Sequence, residues 1–238
     1  LRWEGKMKSH LKKLWTGPES GDPKPIIYLG GHPYSKQMAK ILAPILRYYC
    51  ASYFYHKHFT NNMLPDFKGF PVRAFLDSGA YSYHLQTLKS KKRQQSLSRK
   101  DAEVIIDKYV DWVYEVDFRF DFIVTFDYLP DAAITEWATK RIEKRGLRPV
   151  PVYHMASPIN VLRRLIDDGY TLICIGGMHT RNPKKLRPFL DQVFNFTEKH
   201  GTRCHGLGIG SSEILNYPWF SVDSTTWLAT GFYGAVLK

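Results

Sequence analysis

The chain alternates between short apolar runs and longer stretches in which apolar residues recur at helical intervals. Ile26-Ile27-Tyr28-Leu29 reads as a strand closed by Gly30-Gly31, and Tyr34 to Leu46 has helical spacing. Tyr48 to Tyr55 is an aromatic strand candidate, and Val72 to Leu76 is an apolar strand that runs into Asp77-Ser78-Gly79. A basic loop over residues 82–100 separates it from a helix over Asp101 to Val116, marked by Val104, Ile105, Tyr109, Trp112 and Val113. A strand from Phe122 to Phe126 then precedes Asp127, and a helix covers residues 131–145.

The alternation continues to the end. Pro149 to Tyr153 is a strand before His154, Ile159 to Asp168 a helix, and Leu172 to Ile175 a strand before Gly176-Gly177. Lys184 to His200 is a helix and Cys204 to Ile209 a glycine-broken strand. A short helix then leads to the strand Phe220 to Val222, which runs into Asp223. About eight strands alternating with helices predict an α/β fold, a (β/α)8 TIM barrel. A doubly wound open sheet shares the same alternation. Residues 1–25 are polar and basic and read as an appended arm, so residues 26–238 form the single barrel domain.

Composition narrows the setting. No apolar run approaches the ~18 residues needed to span a bilayer, and no apolar segment near the start reads as a secretory signal. Cys50, Cys174 and Cys204 contain no Cys-x-x-Cys pair, which argues against a disulfide framework and a structural zinc site and for the cytoplasm. Lys plus Arg number 34 against 22 Asp plus Glu, a net charge of +12 that points to a polyanion such as nucleic acid. Lys89, Lys91, Lys92, Arg93, Arg99 and Lys100 form a block with no acid among them, suited to tracking phosphates.

The candidate chemistry lies at the strand ends. Asp77, Asp127, His154, Gly176, Gly177, Gly208 and Asp223 each follow a predicted strand, and in a barrel such residues share one face. One acid in that place is commonplace as a helix N-cap. Three carboxylates, an imidazole and several glycines in series suggest a site. One carboxylate could attack an electrophilic carbon while another shuttles a proton, the logic of retaining displacement at a sugar carbon. The remaining acid and imidazole could hold a heterocyclic base, with glycines allowing close approach of its flat face. These residue types permit glycosyl chemistry on a nucleoside without demanding it.

The segment Asp77-Ser78-Gly79-Ala80-Tyr81-Ser82 resembles the Asp-Ser-Gly-Gly-Phe-Gln motif of tRNA-guanine transglycosylases. Phe126-Asp127, Val152-Tyr153-His154, Ile175-Gly176-Gly177, His205-Gly206-Leu207-Gly208-Ile209-Gly210 and Ser221-Val222-Asp223-Ser224-Thr225 follow in the order of that family. The compact form is most similar to the phage-type DpdA proteins, DNA-guanine transglycosylases that exchange guanine in DNA for a 7-deazaguanine. The resemblance implies a TIM barrel, with Asp223 as nucleophile and Asp77 as general acid/base. It places Ser78, Gly79, Asp127, His154, Gly176 and Gly177 at the base. It implies DNA and a free 7-deazaguanine as substrates, no metal and no cofactor, and leaves room for accessory proteins of the modification pathway. The chain has His154 where the family has Gln, and it lacks the zinc-binding subdomain of the tRNA enzymes. That absence, with the basic block, favours DNA over tRNA. A tRNA-guanine transglycosylase and a nucleic-acid-binding barrel without catalysis are the alternatives.

Overall fold

The computed structural model describes residues 25–31, 40–41, 43–44, 46–56, 70–89, 98–128, 132–178, 183–209 and 216–225. The predicted arm therefore lies outside the described residues except for Pro25, as does most of the helix predicted from Tyr34 to Leu46. The described elements, in chain order, are β1 (Ile26–Gly30), β2 (Tyr48–Ser52), α1 (Tyr53–His56), β3 (Arg73–Asp77), α2 (Ala80–Lys89) and α3 (Arg99–Glu115). They continue with α4 (Ala132–Lys144), β4 (Val152–His154), α5 (Ile159–Asp167), β5 (Leu172–Gly176), α6 (Pro183–Lys199), β6 (Arg203–Gly206) and β7 (Ser221–Ser224).

The fold is α/β. Seven strands make one sheet of order β3-β2-β1-β7-β6-β5-β4. The ladders joining β1 to β2 and β7, β6 to β5 and β7, and β4 to β5 are all parallel. The predicted strand over residues 122–126 is reduced to a parallel bridge between Leu76 and Ile123. It runs beside β3 through the Leu76 N–H to Phe122 O (3.0 Å) and Val124 N–H to Leu76 O (2.8 Å) hydrogen bonds.

Contacts divide the chain into two compact units. One is made chiefly of Ala51–Pro149; the other is the chain from Val150 onward with β1 and Tyr48–Cys50. In the first, Phe75 stacks on Phe122 with centroids 4.9 Å apart, and α3 buries Ile106, Tyr109 and Val113. The Tyr109 hydroxyl donates to the Val124 carbonyl at 2.9 Å, tying this helix to the bridge segment. Ser98 caps α3, its Oγ accepting the Asp101 N–H at 3.1 Å. In the second unit, Tyr153, Leu162, Ile173, Leu190, Phe194 and Trp219 are among the residues of one apolar cluster under β4 to β7.

Helices α3 and α4 are joined by an ionic ladder. Arg141 grips Asp107 with both ends of its guanidinium, at 2.9 and 2.7 Å, and reaches Glu103 at 2.8 Å. Arg145 continues the row, to Asp107 at 3.2 Å and Asp111 at 2.6 Å. The Arg141 hydrogen bonds, helped by the charges of both arginines, hold the Asp107 carboxyl below the usual carboxylate range against the opposing effect of burial. A carboxyl depressed in the folded state stabilises fully above its unfolded value, about 3.9, and the contribution disappears as pH falls through the lower folded value. Asp107→Asn is therefore expected to cost roughly 1 kcal/mol at neutral pH, a modest figure because solvent screens this partly exposed row. Urea unfolding from pH 7 to pH 2 should show a shallower acid loss in the variant than in the parent.

Cys174 and Cys204 lie inside strands and are buried, whereas Cys50 is half-buried. Burial pushes the Cys204 thiol up to about 12. Iodoacetamide labelling of the native protein near pH 8, read by peptide mass, should modify Cys50 well before the other two; Cys174 and Cys204 should react only in denaturant. No helix among the described residues is long and apolar enough to cross a membrane.

Candidate active site

Asp223 is the third residue of β7, inside the strand rather than just after it. Its strand lies between β1, where Tyr28 is its register partner, and β6, where His205 pairs with Ser221. The residue is buried, with 9% exposure. The turn after β6 wraps it from two directions: the Gly208 N–H donates to Oδ1 at 2.9 Å, and the Ile209 N–H donates to the Asp223 carbonyl at 2.8 Å. Gly208 adopts φ +65, a backbone conformation that lets this turn present its amide to the carboxylate. Among the described residues, the carboxylate receives its hydrogen bond on Oδ1.

Beside it stands His205, fully buried. Its Nδ1 lies 2.8 Å from Ser221 Oγ, and its Nε2 lies 3.5 Å from Asp223 Oδ1. His205 appeared in the sequence only as a member of a glycine-rich run, with no role of its own. The available signal was strand alternation, which turns His205 to the opposite face of β6 from Cys204.

The same unit holds His154 and the two glycines. His154 ends β4, Gly176 ends β5, and the two are register partners. A side chain at position 176 would meet His154 Cδ2 at 3.3 Å and Val152 Cγ1 at 3.0 Å, so glycine makes room for the imidazole. Gly177 has φ +75, and the Met155 N–H donates to the Gly176 carbonyl at 3.1 Å, closing the two strand ends together. His154 is buried, and its carbonyl accepts the Ser157 N–H at 2.9 Å. His154, Gly176 and Asp223 thus lie at or next to the C-terminal ends of parallel strands, with the β6 turn between β5 and β7.

Asp77, Ser78, Gly79 and Asp127 belong to the other unit. Asp77 ends β3, and its Oδ2 accepts the Gly79 N–H at 2.9 Å, an Asx turn that stops the strand. Gly79 has φ +74, and a side chain there would collide with Phe54, whose backbone nitrogen would be 2.8 Å away. Ser78 is fully buried, and its Oγ has no hydrogen-bond partner among the described residues. Asp127 lies between Phe126 and Tyr128, both fully buried. A chain of hydroxyls anchors this segment to α4: Thr125 Oγ1 is 2.9 Å from Thr139 Oγ1, and the Tyr128 N–H donates to Thr135 Oγ1 at 3.1 Å.

The basic block is a correction to the predicted loop. Helix α2 occupies Ala80–Lys89 where a loop was expected, because Gly79 ends the strand and Ala80, Leu85, Gln86, Leu88 and Lys89 favour a helix. Lys91, Lys92 and Arg93 lie outside the described residues. Arg99 and Lys100 are exposed in the first turn of α3, and the Arg99 guanidinium sits 4.8 Å over the Trp137 ring. Arg99 is thus already stacked on its own protein. Among the described residues, no group of three or more His, Cys, Asp or Glu side chains is placed to hold a metal ion. No protein-family model matches the chain, and the search of curated proteins found no match.

Proposed function

We propose that the protein is a DNA-guanine transglycosylase that exchanges guanine in DNA for a 7-deazaguanine through a covalent bond between Asp223 and the deoxyribose. The observation that carries this reading is the Asp223 carboxylate itself: buried at the C-terminal end of a parallel strand, with Oδ1 held by the Gly208 amide. A carboxylate so held is pre-organised for attack, since it loses little freedom on reaching the transition state. The order of the strand-end motifs supplies the rest of the assignment. The fold that goes with it is TIM-like, but the closed (β/α)8 barrel is corrected: among the described residues the sheet has seven parallel strands, and residues 122–126 add only a bridge beside β3.

In this mechanism the target guanine leaves the stack, at a cost of a few kcal/mol. Asp223 Oδ2 attacks C1′ as the C1′–N9 bond breaks, and the bond's electron pair departs with guanine. Asp77 supplies a proton to the leaving base. A free 7-deazaguanine then enters, Asp77 removes its proton, and its nitrogen attacks C1′ while the ester bond to Asp223 breaks. Two displacements on one carbon retain its configuration. Asp127 and His154 read the polar edge of the base, and Gly176 and Gly177 admit its flat face. The net charge of +12 favours a polyanionic substrate, and the basic block favours DNA.

The deciding experiment incubates the full chain with DNA, and separately with tRNA, in the presence of a labelled 7-deazaguanine. Digestion to nucleosides and mass analysis then locates the label. Label in deoxynucleosides supports this reading. Label in tRNA alone selects the RNA enzyme, and label in neither leaves a binding protein.

A further inference from the structure

Ser221, His205 and Asp223 lie together, buried, across β6 and β7: Nδ1 of the imidazole is in hydrogen-bond reach of Ser221 Oγ, whereas the 3.5 Å from Nε2 to Asp223 Oδ1 is a close approach rather than a hydrogen bond. The strands bring four groups to the His205 ring: Ser221 and Asp223 from β7, Tyr28 from β1 with ring centroids 6.0 Å apart, and Cys174 as its register partner on β5. A hydroxyl beside Nδ1 can either donate or accept. If Ser221 donates, the proton of a neutral imidazole sits on Nε2, on the side of Asp223 Oδ1. That tautomer offers the carboxylate a donor without burying a positive charge.

We propose that His205 is a positioning residue for the attacking carboxylate, with Ser221 fixing its Nε2–H tautomer. The Gly208 amide then holds Oδ1 while the His205 Nε2–H faces the same oxygen from 3.5 Å, leaving Oδ2 as the oxygen that attacks. This rests on the transglycosylase reading above. When Oδ2 bonds to C1′, the electron pair of the C1′–N9 bond leaves with guanine and Oδ1 becomes the ester carbonyl oxygen. When the new base attacks, the C1′–Oδ2 bond breaks and its electron pair returns to the carboxylate. Donors on Oδ1 stabilise that returning charge, so they matter most in the second half of the reaction.

The test compares His205→Phe, His205→Gln and Ser221→Ala with the parent, each as the full chain and each checked for folding by circular dichroism. His205→Phe is expected to lower kcat about 10- to 100-fold, less than a well-aimed donor supplies because the 3.5 Å approach is long. The Kd for DNA should stay within about twofold, since binding is unaltered in the ground state, whereas the KM for DNA should fall with kcat because the breakdown step limits turnover. The fraction of protein in a denaturant-stable adduct with DNA should rise, because breakdown slows more than formation. His205→Gln, whose amide can donate towards Oδ1, should recover part of the rate. Long-range ¹H–¹⁵N spectra should show the Nε2–H tautomer in the parent and a mixture in Ser221→Ala. An unchanged kcat in His205→Phe beside an active parent, or an Nδ1–H tautomer in the parent, would overturn this inference alone. No exchange by the parent on DNA or tRNA would sink the transglycosylase reading and this role with it, while the spectra would still report which tautomer Ser221 selects.

Discussion

Asp223→Asn is expected to reduce base exchange on the order of 10⁴-fold while leaving DNA binding close to that of the parent. Asparagine keeps the shape of the side chain, and its carbonyl oxygen can still accept the Gly208 N–H that Asp223 accepts at 2.9 Å. The turn around β7 should therefore survive the change. What disappears is the second oxygen, since an amide nitrogen has no free lone pair to offer an anomeric carbon. Three measurements bear on it together: label incorporation, filter binding to DNA, and the denaturant-stable adduct on a gel. Exchange within tenfold of the parent would remove Asp223 from the role of nucleophile. Loss of binding together with exchange would mean that the residue supports the fold instead.

Gly79→Ala should destabilise the protein by about 2–5 kcal/mol, the largest stability effect expected from adding a single methyl group. Two costs act at once. At φ +74 a side chain strains the backbone by ~1–2 kcal/mol, and the added methyl collides with the Phe54 backbone, which cannot swing aside as a flexible side chain could. Gly201→Ala separates the two costs, because Gly201 has φ +65 but open space where the methyl would go. That control should lose only ~1 kcal/mol. Urea unfolding of both variants checks the difference; equal losses would show that the collision at Phe54 relaxes away.

The parts of the fold legible in the sequence were those with abrupt local boundaries. Apolar runs that stop at Asp77, His154, Gly176 and Asp223 correspond to β3, β4, β5 and β7, and the residue that ends the pattern turns out to belong to the strand. The run from Tyr48 to Tyr55 was read as a single strand, but it splits after Ser52. The ring of Tyr53 packs against Tyr109 and Trp112, and the chain takes a helical turn there. Aromatic residues suit strands in general, so this tertiary demand left no local mark. Helix α2 was hidden for a different reason: its residues divide evenly between good helix formers and weak ones such as Tyr, Ser, His and Thr. The apolar run at 122–126 looks the same whether it forms a full strand or a bridge. Least legible was His205, whose place beside Asp223 depends on the register between β6 and β7, and that register pairs residues distant in sequence.

The hydroxyl chain behind Asp127 has a direction. Thr139 Oγ1 spends its hydrogen on the Thr135 carbonyl at 3.0 Å, so in the 2.9 Å pair with Thr125 it must be the acceptor. Every link in that tether is uncharged and buried, whereas the neighbouring pairing of α3 with α4 is ionic and partly exposed. Salt therefore distinguishes the two. Rising ionic strength weakens the grip between the helices but leaves the seat of Asp127 as it was, so the carboxylate proposed to read the base is insulated from the same ions that loosen a polyanion's hold on a basic protein.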